Sequence, residues 1–192
     1  VLIDRKIQGV VCDSVLVDNE QAASDALKLL YEKGHRNIGI IGGPEEISTA
    51  QERMKGYCKT MEELNLPVRE SLIVHGDYTI QGGVKAMETL VQKNPDMTAV
   101  FITNYEMTMG AVIGLNELGI RIPEEISLVG FDNLPLPEPV IQADHCFSAH
   151  RKIAEATAGI MLERLEHAGN ESGCRTEKLG TTIIHGKSIA QL

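Results

Sequence analysis

Short apolar runs alternate with longer stretches of helical period along this 192-residue chain. Val1 to Ile3, Val15 to Val17, Ile38 to Ile41, Leu72 to Val74, Ala99 to Ile102 and Ser127 to Phe131 read as strands, as do Cys146-Phe147 and Thr182 to Ile184 near the end. Several are apolar throughout rather than at alternate positions, as parallel strands covered on both faces must be. Between them, Ala23, Ala26, Leu27 and Leu30 fall on one face of a helix. Met54, Tyr57, Cys58, Met61 and Leu64 mark a second helix, and Val84, Met87 and Val91 a third. Met109, Val112 and Ile113 mark a fourth, and Ile153, Thr157, Ile160 and Met161 the last. Gly34 and Gly119 stand where helices end in a left-handed glycine, and Pro67 and Pro123 follow helix ends closely.

Alternating strands and helices at this spacing predict a doubly wound α/β sheet. Ligands of such sheets bind beyond the carboxyl ends of the strands, so the residues just after each strand carry the functional question. Asp18 and Asn19 follow the second strand; Gly42, Gly43 and Pro44, then Ser48, Thr49 and Arg53, follow the third. Asp77, Tyr78 and Thr79, then Thr103, Asn104 and Tyr105, then Asp132 and Asn133, follow the next three. Taken singly, each Asp or Asn is accounted for as a cap on the following helix. Five strand ends of matching kind favour a cleft for a polyhydroxylated small molecule. Carboxylates and amides pair with hydroxyls, a guanidinium offers a planar fork, and an aromatic ring packs on the C–H face of a sugar.

Composition narrows the field. The 18 basic and 27 acidic side chains leave a net charge of -9, with no Lys/Arg cluster of the kind that displaces counterions from duplex DNA. The four cysteines, Cys12, Cys58, Cys146 and Cys174, lack the patterned spacing of a disulfide framework or zinc site and read as reduced thiols. Gly42-Gly43-Pro44 fits neither the P-loop nor the dinucleotide fingerprint. His145, Cys146 and His150 lack a third ligand at sensible spacing, and no G-x-S-x-G or H-E-x-x-H occurs. No catalytic residue, metal site or cofactor is therefore expected. No apolar run is long enough to span a bilayer. Val1-Leu2-Ile3-Asp4 reads as a strand already under way, which predicts more chain before it.

Several stretches carry a resemblance: Val17-Asp18-Asn19, Lys33-Gly34-His35-Arg36-Asn37-Ile38, Ile41-Gly42-Gly43-Pro44 and Glu52-Arg53-Met54-Lys55-Gly56-Tyr57. Gly76-Asp77-Tyr78, Thr98-Ala99-Val100-Phe101, Asn104 and Gly110-Ala111 continue it. The most specific is Arg121-Ile122-Pro123-Glu124-Glu125-Ile126-Ser127-Leu128-Val129-Gly130-Phe131-Asp132-Asn133. Together they resemble the regulatory domain of the LacI (lactose-repressor) family of transcription regulators, over nearly the whole chain.

The resemblance implies a periplasmic-binding-protein-like fold of two lobes joined by three crossovers, with an effector in the cleft between them. Residues 1–18 would then be a remnant of the N-terminal lobe and 19–144 a complete C-terminal lobe. Residues 145–180 would be a returning N-terminal-lobe strand and helix, and 181–192 a closing strand of the C-terminal lobe. By the same resemblance Asp18 lines the cleft, Thr49 and Arg53 contact effector, Tyr78 is an aromatic platform, and Asn104 and Asp132 are polar contacts. Ser148 falls where many members carry Gln, and Tyr105 where an Asp follows the Asn. Ile47 stands where purine-responsive members carry Arg, which counts against a purine and favours a sugar.

The resemblance further implies a cytoplasmic homodimer that is not an enzyme. The helix around Met107 and Met109 and the loop Leu134 to Pro139 would form its contact. Operator DNA would be met only through a helix-turn-helix that this stretch does not contain. With part of one lobe wanting, apolar faces are expected to stand uncovered, with instability, new oligomer contacts or a domain swap as the result. Two rivals share the fold: a secreted sugar-binding protein feeding a transporter, which the Arg121 to Asn133 stretch disfavours, and an enzyme, which lacks a poised acid, base or nucleophile.

Overall fold

β-Branched and aromatic residues dominate the apolar runs, and these runs form the buried strands. The structure is a computed structural model that describes residues 1–7, 9–132, 143–148, 150–167 and 173–192. The loop Leu134 to Pro139 and the connection from Gly169 to Ser172 lie outside the described residues. In chain order the elements are β1 (Leu2–Ile3), β2 (Ser14–Val17), α1 (Asn19–Glu32), β3 (Ile38–Gly42), α2 (Ser48–Glu63), β4 (Ile73–His75) and α3 (Ile80–Lys93). There follow β5 (Ala99–Ile102), α4 (Tyr105–Glu117), β6 (Ser127–Phe131), β7 (Asp144–Ser148), α5 (His150–Glu166), β8 (Thr176–Leu179) and β9 (Thr181–Ile184).

Two sheets result. The larger runs β4-β3-β5-β6-β7-β9, parallel except for β9, which pairs antiparallel with β7. The smaller runs β1-β2-β8, all parallel. The doubly wound expectation holds: α1 and α2 cover one face of the larger sheet and α3 and α4 the other. Strands β3, β5 and β6 are buried at every position. α3 and α4 cross in close contact at Gly83 and Gly110. A Cβ on Gly110 would meet the Ile80 carbonyl oxygen at 2.0 Å, so any side chain there forces the helices apart.

Three expectations are corrected. β8 was not foreseen, because Thr176-Glu177-Lys178-Leu179 is polar and exposed at its first three positions. The strand around Cys146 belongs to the larger sheet, so the chain leaves that sheet after Ser148 and not at residue 145. Asp144 holds it there: its buried carboxylate accepts the N–H groups of Gly186 and Ser188, and its own N–H donates to Ser188 Oγ. Unpaired, a buried carboxylate is costly, so β7 and the closing segment order together. Finally, the core face of α4 is Met107, Ala111 and Leu115, whereas Met109 and Val112 are half-buried and Ile113 is exposed. A helix apolar nearly all round gives periodicity little to choose by.

Candidate functional site

Thr49 and Arg53 lie four residues apart on α2 and share its buried face, at 4% and 5% exposure. A buried guanidinium is costly unless its donors are satisfied, and the surrounding strand ends supply partners. Arg53 Nε donates to Asn19 Oδ1 over 2.8 Å, and Nη1 donates to the Thr103 carbonyl. The guanidinium carbon stands 3.4 Å from the centre of the Phe131 ring, a cation–π stack. No carboxylate forms an ion pair with Arg53 among the described residues. Burial pulls the guanidinium below the usual arginine range, and Tyr78, Asp132 and Asp4 nearby oppose that shift. The charge is thus held in a buried place whose nearest carboxylates among the described residues form no ion pair with it.

Asp4, Tyr78 and Asp132, three of the groups that oppose it, share one backbone feature. All are non-glycine residues with positive φ, at 61°, 64° and 58°. Such positions cost about 1–3 kcal/mol each and gather where geometry serves a ligand. Tyr78 is the central residue of an Asp77–Thr79 turn in which Asp77 Oδ1 accepts both the N–H and the hydroxyl of Thr79. The turn presses the Tyr78 ring onto Gly43, where a Cβ would come within 2.2 Å of it, so only glycine fits beneath the ring. The Tyr78 hydroxyl is buried with no hydrogen-bond partner among the described residues. A buried hydroxyl left so costs about 1–3 kcal/mol, which an incoming acceptor or donor would recover.

Asp132 is fixed from both sides. Its N–H donates to the Cys146 carbonyl, and its Oδ1 accepts the Ser148 N–H at 3.0 Å, with His150 Nε2 3.9 Å away. Asp4, from the small sheet, is raised above the usual carboxylate range by burial, against the pull of Arg53. Lys6, two residues on, reaches α2 through its N–H on Ser48 Oγ and its ammonium 3.7 Å from Glu52. Glu52 in turn accepts from Asn19 Nδ2. One polar chain therefore runs from the small sheet through Glu52 and Asn19 to Arg53.

The periplasmic-binding-protein-like domain family matches residues 27–189. The chain belongs to this family. Over 188 residues this periplasmic-binding-protein-like domain is 40% identical to the HTH-type transcriptional repressor PurR of Proteus mirabilis, covering 96% of this chain and 54% of that protein. A solved complex of the transcriptional regulator CelR with cellobiose superimposes with a TM-score of 0.88 at 27% identity, over 97% of this chain and 57% of that one. A sugar-binding LacI-family regulator from Escherichia coli, complexed with phosphate, gives 0.85 at 25% identity over 99% of this chain and 68% of that one. The domain is thus similar to part of these transcriptional regulators, and it spans about half (54%) of the length of that curated repressor.

Within this periplasmic-binding-protein-like domain, Tyr78 and Asp132 lie within electrostatic reach of Arg53, and Thr49 shares the buried face of α2 with it. Ser148 stands behind Asp132 and orients it through its backbone. Asn104 caps α4, its Oδ1 accepting the Met107 N–H, one residue past the carbonyl that holds Arg53. Asp18 does not join the group. Its carboxylate caps α1 and pairs with Lys178 at 3.5 Å, on an outer groove between α1 and α2. The cap needs Asp18 at the helix start, and the next residue, Asn19, turns inward instead. Asn19 and Asp4 are the residues that strand-end reasoning did not take as site residues. Asn19 stood among the strand-end groups, and only its 1% exposure separates it from an ordinary cap. His145 and Cys146 are held structurally: His145 Nδ1 contacts the Ala143 carbonyl, and the Cys146 thiol, pushed by burial up to about 12, donates to the Ala22 carbonyl.

Proposed function

We propose that this domain senses a sugar or a related polyhydroxylated metabolite beside Arg53, and that the whole protein is a LacI-type regulator whose operator binding the effector controls. One observation carries the proposal. A fully charged guanidinium is buried, clamped through Nε and Nη1 and stacked on Phe131, yet set apart from the carboxylates of Asp4 and Asp132. A neutral polyol completes such a set, because its hydroxyls accept from the arginine and donate to the two carboxylates. The Tyr78 ring supplies the apolar wall. Asp4 comes from the small sheet and Arg53 from the larger unit, so a ligand held by both draws them together. By linkage, whatever effector does to operator affinity, operator does to effector affinity.

The whole protein in this proposal is a cytoplasmic homodimer without catalytic activity. Met109, Val112 and Ile113 on the outer face of α4 give the dimer contact its apolar surface, with Ile113 38% exposed. DNA is read by a part of the protein outside this chain. Thermal shift against a panel of sugars, sugar phosphates and nucleobases tests the effector, because a ligand of the native state raises the midpoint. A shift with one sugar, lost in both Arg53→Ala and Arg53→Lys, is expected; lysine keeps the charge but not the fork. A shift with a nucleobase and with no sugar would discard the sugar.

A further inference from the structure

We infer that Cys12 and Cys174 form a vicinal thiol site that a hydroperoxide converts to a disulfide. The placement follows from strand register. β2 and β8 run parallel with Ser14 opposite Thr176, and the two hydroxyls are 2.9 Å apart. Before the strand ends two further bonds tie the segments: the Ser14 N–H donates to the Arg175 carbonyl at 2.9 Å, and the Arg175 N–H donates to the side-chain Oδ1 of Asp13 at 2.9 Å. Cys12 and Cys174 stand two residues before Ser14 and Thr176 in their respective segments. Both cysteines line one cavity of about 770 Å³, together with Ser14 and Thr176. The Cα atoms of a disulfide lie about 4.4–6.8 Å apart, and forming the bond brings the two segments beside this cavity to that spacing.

Exposure assigns the order of events. Cys174 is exposed and Cys12 half-buried, whereas Cys146 is buried and committed to the Ala22 carbonyl. The Cys174 thiolate attacks one peroxide oxygen; the O–O bond breaks, an alcohol or water leaves, and sulfur is oxidised to the sulfenic acid. The Cys12 thiolate then attacks that sulfur, the S–O bond breaks, water departs, and the S–S bond forms. Two electrons pass from the two thiols to the peroxide. Little backbone motion is required, because Asp13 already binds the Arg175 N–H and the Arg164 guanidinium and so holds the two segments side by side. The product ties the start of β2 to the start of β8 beside the cavity.

Trypsin separates the pair cleanly. Cleavage after Lys6 and Lys28 yields a peptide with Cys12 as its one cysteine, and cleavage after Arg164 and Arg175 yields one with Cys174 alone. The reduced protein is treated with hydrogen peroxide, capped with an alkylating agent and digested without reductant. The expected result is a single cross-linked species joining peptides 7–28 and 165–175 from one chain, absent in Cys174→Ser and unchanged in Cys58→Ser. Both peptides recovered alkylated and separate would overturn the proposal. So would a link found only in a covalent dimer on a non-reducing gel.

Discussion

The two sheets of this protein solve the same problem with different means. In the six-stranded sheet, Ile38, Phe101 and Val129 have no exposure, and helices close both faces. In the three-stranded sheet the central β2 is buried throughout, with α5 packed on it through Ile153, Thr157 and Ile160, but the edge strands β1 and β8 are largely exposed. Its outward Met161, Leu162 and Leu165 are 51%, 59% and 72% exposed, and Val11 is 87% exposed. Polar ties stand in for the missing apolar contact: Asp13 receives Nε and Nη2 of Arg164 at 2.7 and 2.8 Å and also the Arg175 N–H. Stability thus comes from burial throughout the larger unit, and in the smaller one from burial at β2 together with directional bonds at its exposed edges. The candidate site lies where they meet, and a small unit with exposed edge strands is the one freer to answer a ligand.

The sharpest way to break this comparison is to truncate one apolar side chain on each side. Phe101→Ala removes a central-strand side chain with no exposure and should cost about 3–5 kcal/mol. Ile3→Ala, at a position 51% exposed in the small sheet, should stay within about 0.5 kcal/mol. Urea denaturation measures both. Similar losses at the two positions would show that the small sheet has a core of its own after all.

A second contrast is in pH. The Arg164 guanidinium and the Arg175 N–H hold the Asp13 carboxyl well below the usual carboxylate range. A carboxylate so depressed contributes stability that is complete above its unfolded value of about 3.9 and is lost as pH falls through the folded one. Acidification below about pH 4 should therefore loosen β2 and β8 before the interior of the larger sheet. Amide exchange at Val15 and Leu16, compared with Val100 and Phe101, reads the order of opening. In Asp13→Asn the β2 amides should already exchange faster at neutral pH and respond less to acid. An acid response unchanged in the variant would remove Asp13 as its source.

What the sequence discloses divides along the same line. In the larger unit, runs such as Ala99 to Ile102 are apolar at every position, so pattern and burial coincide and the strand is legible. β8 is legible to no such rule, because Thr176, Glu177 and Lys178 point to solvent at a sheet edge and owe their strand to pairing with β2. Arg53, Thr49, Tyr78 and Asp132 could be named from their places after strands. Asn19 and Asp4 could not, since an Asn at a helix start is ordinarily a cap, and Asp4 acquires its neighbours only through the fold. Likewise Asp18 and Asn19 are adjacent and chemically alike; the direction of the α1 entry, which no pattern reports, decides which one turns to Arg53.

The smallest expected effect separates exposure from stability altogether. Met161, Leu162 and Leu165 project from the outer side of α5, away from the Ile153–Ile160 stripe. Replacing Leu162 and Leu165 by Gln removes exposed apolar surface from a helix that keeps its buried contacts, and glutamine is as good a helix former as most. The unfolding free energy should move by no more than about 0.5 kcal/mol per residue. Association is where the change should appear, because contiguous exposed apolar surface drives proteins together. Sedimentation of the parent should show concentration-dependent self-association that the double variant lacks. If the variant instead unfolds early, α5 takes support from that face within the monomer. The small sheet would then rest on burial as the larger one does, and the division of labour between apolar packing and polar ties would fail at its weakest point.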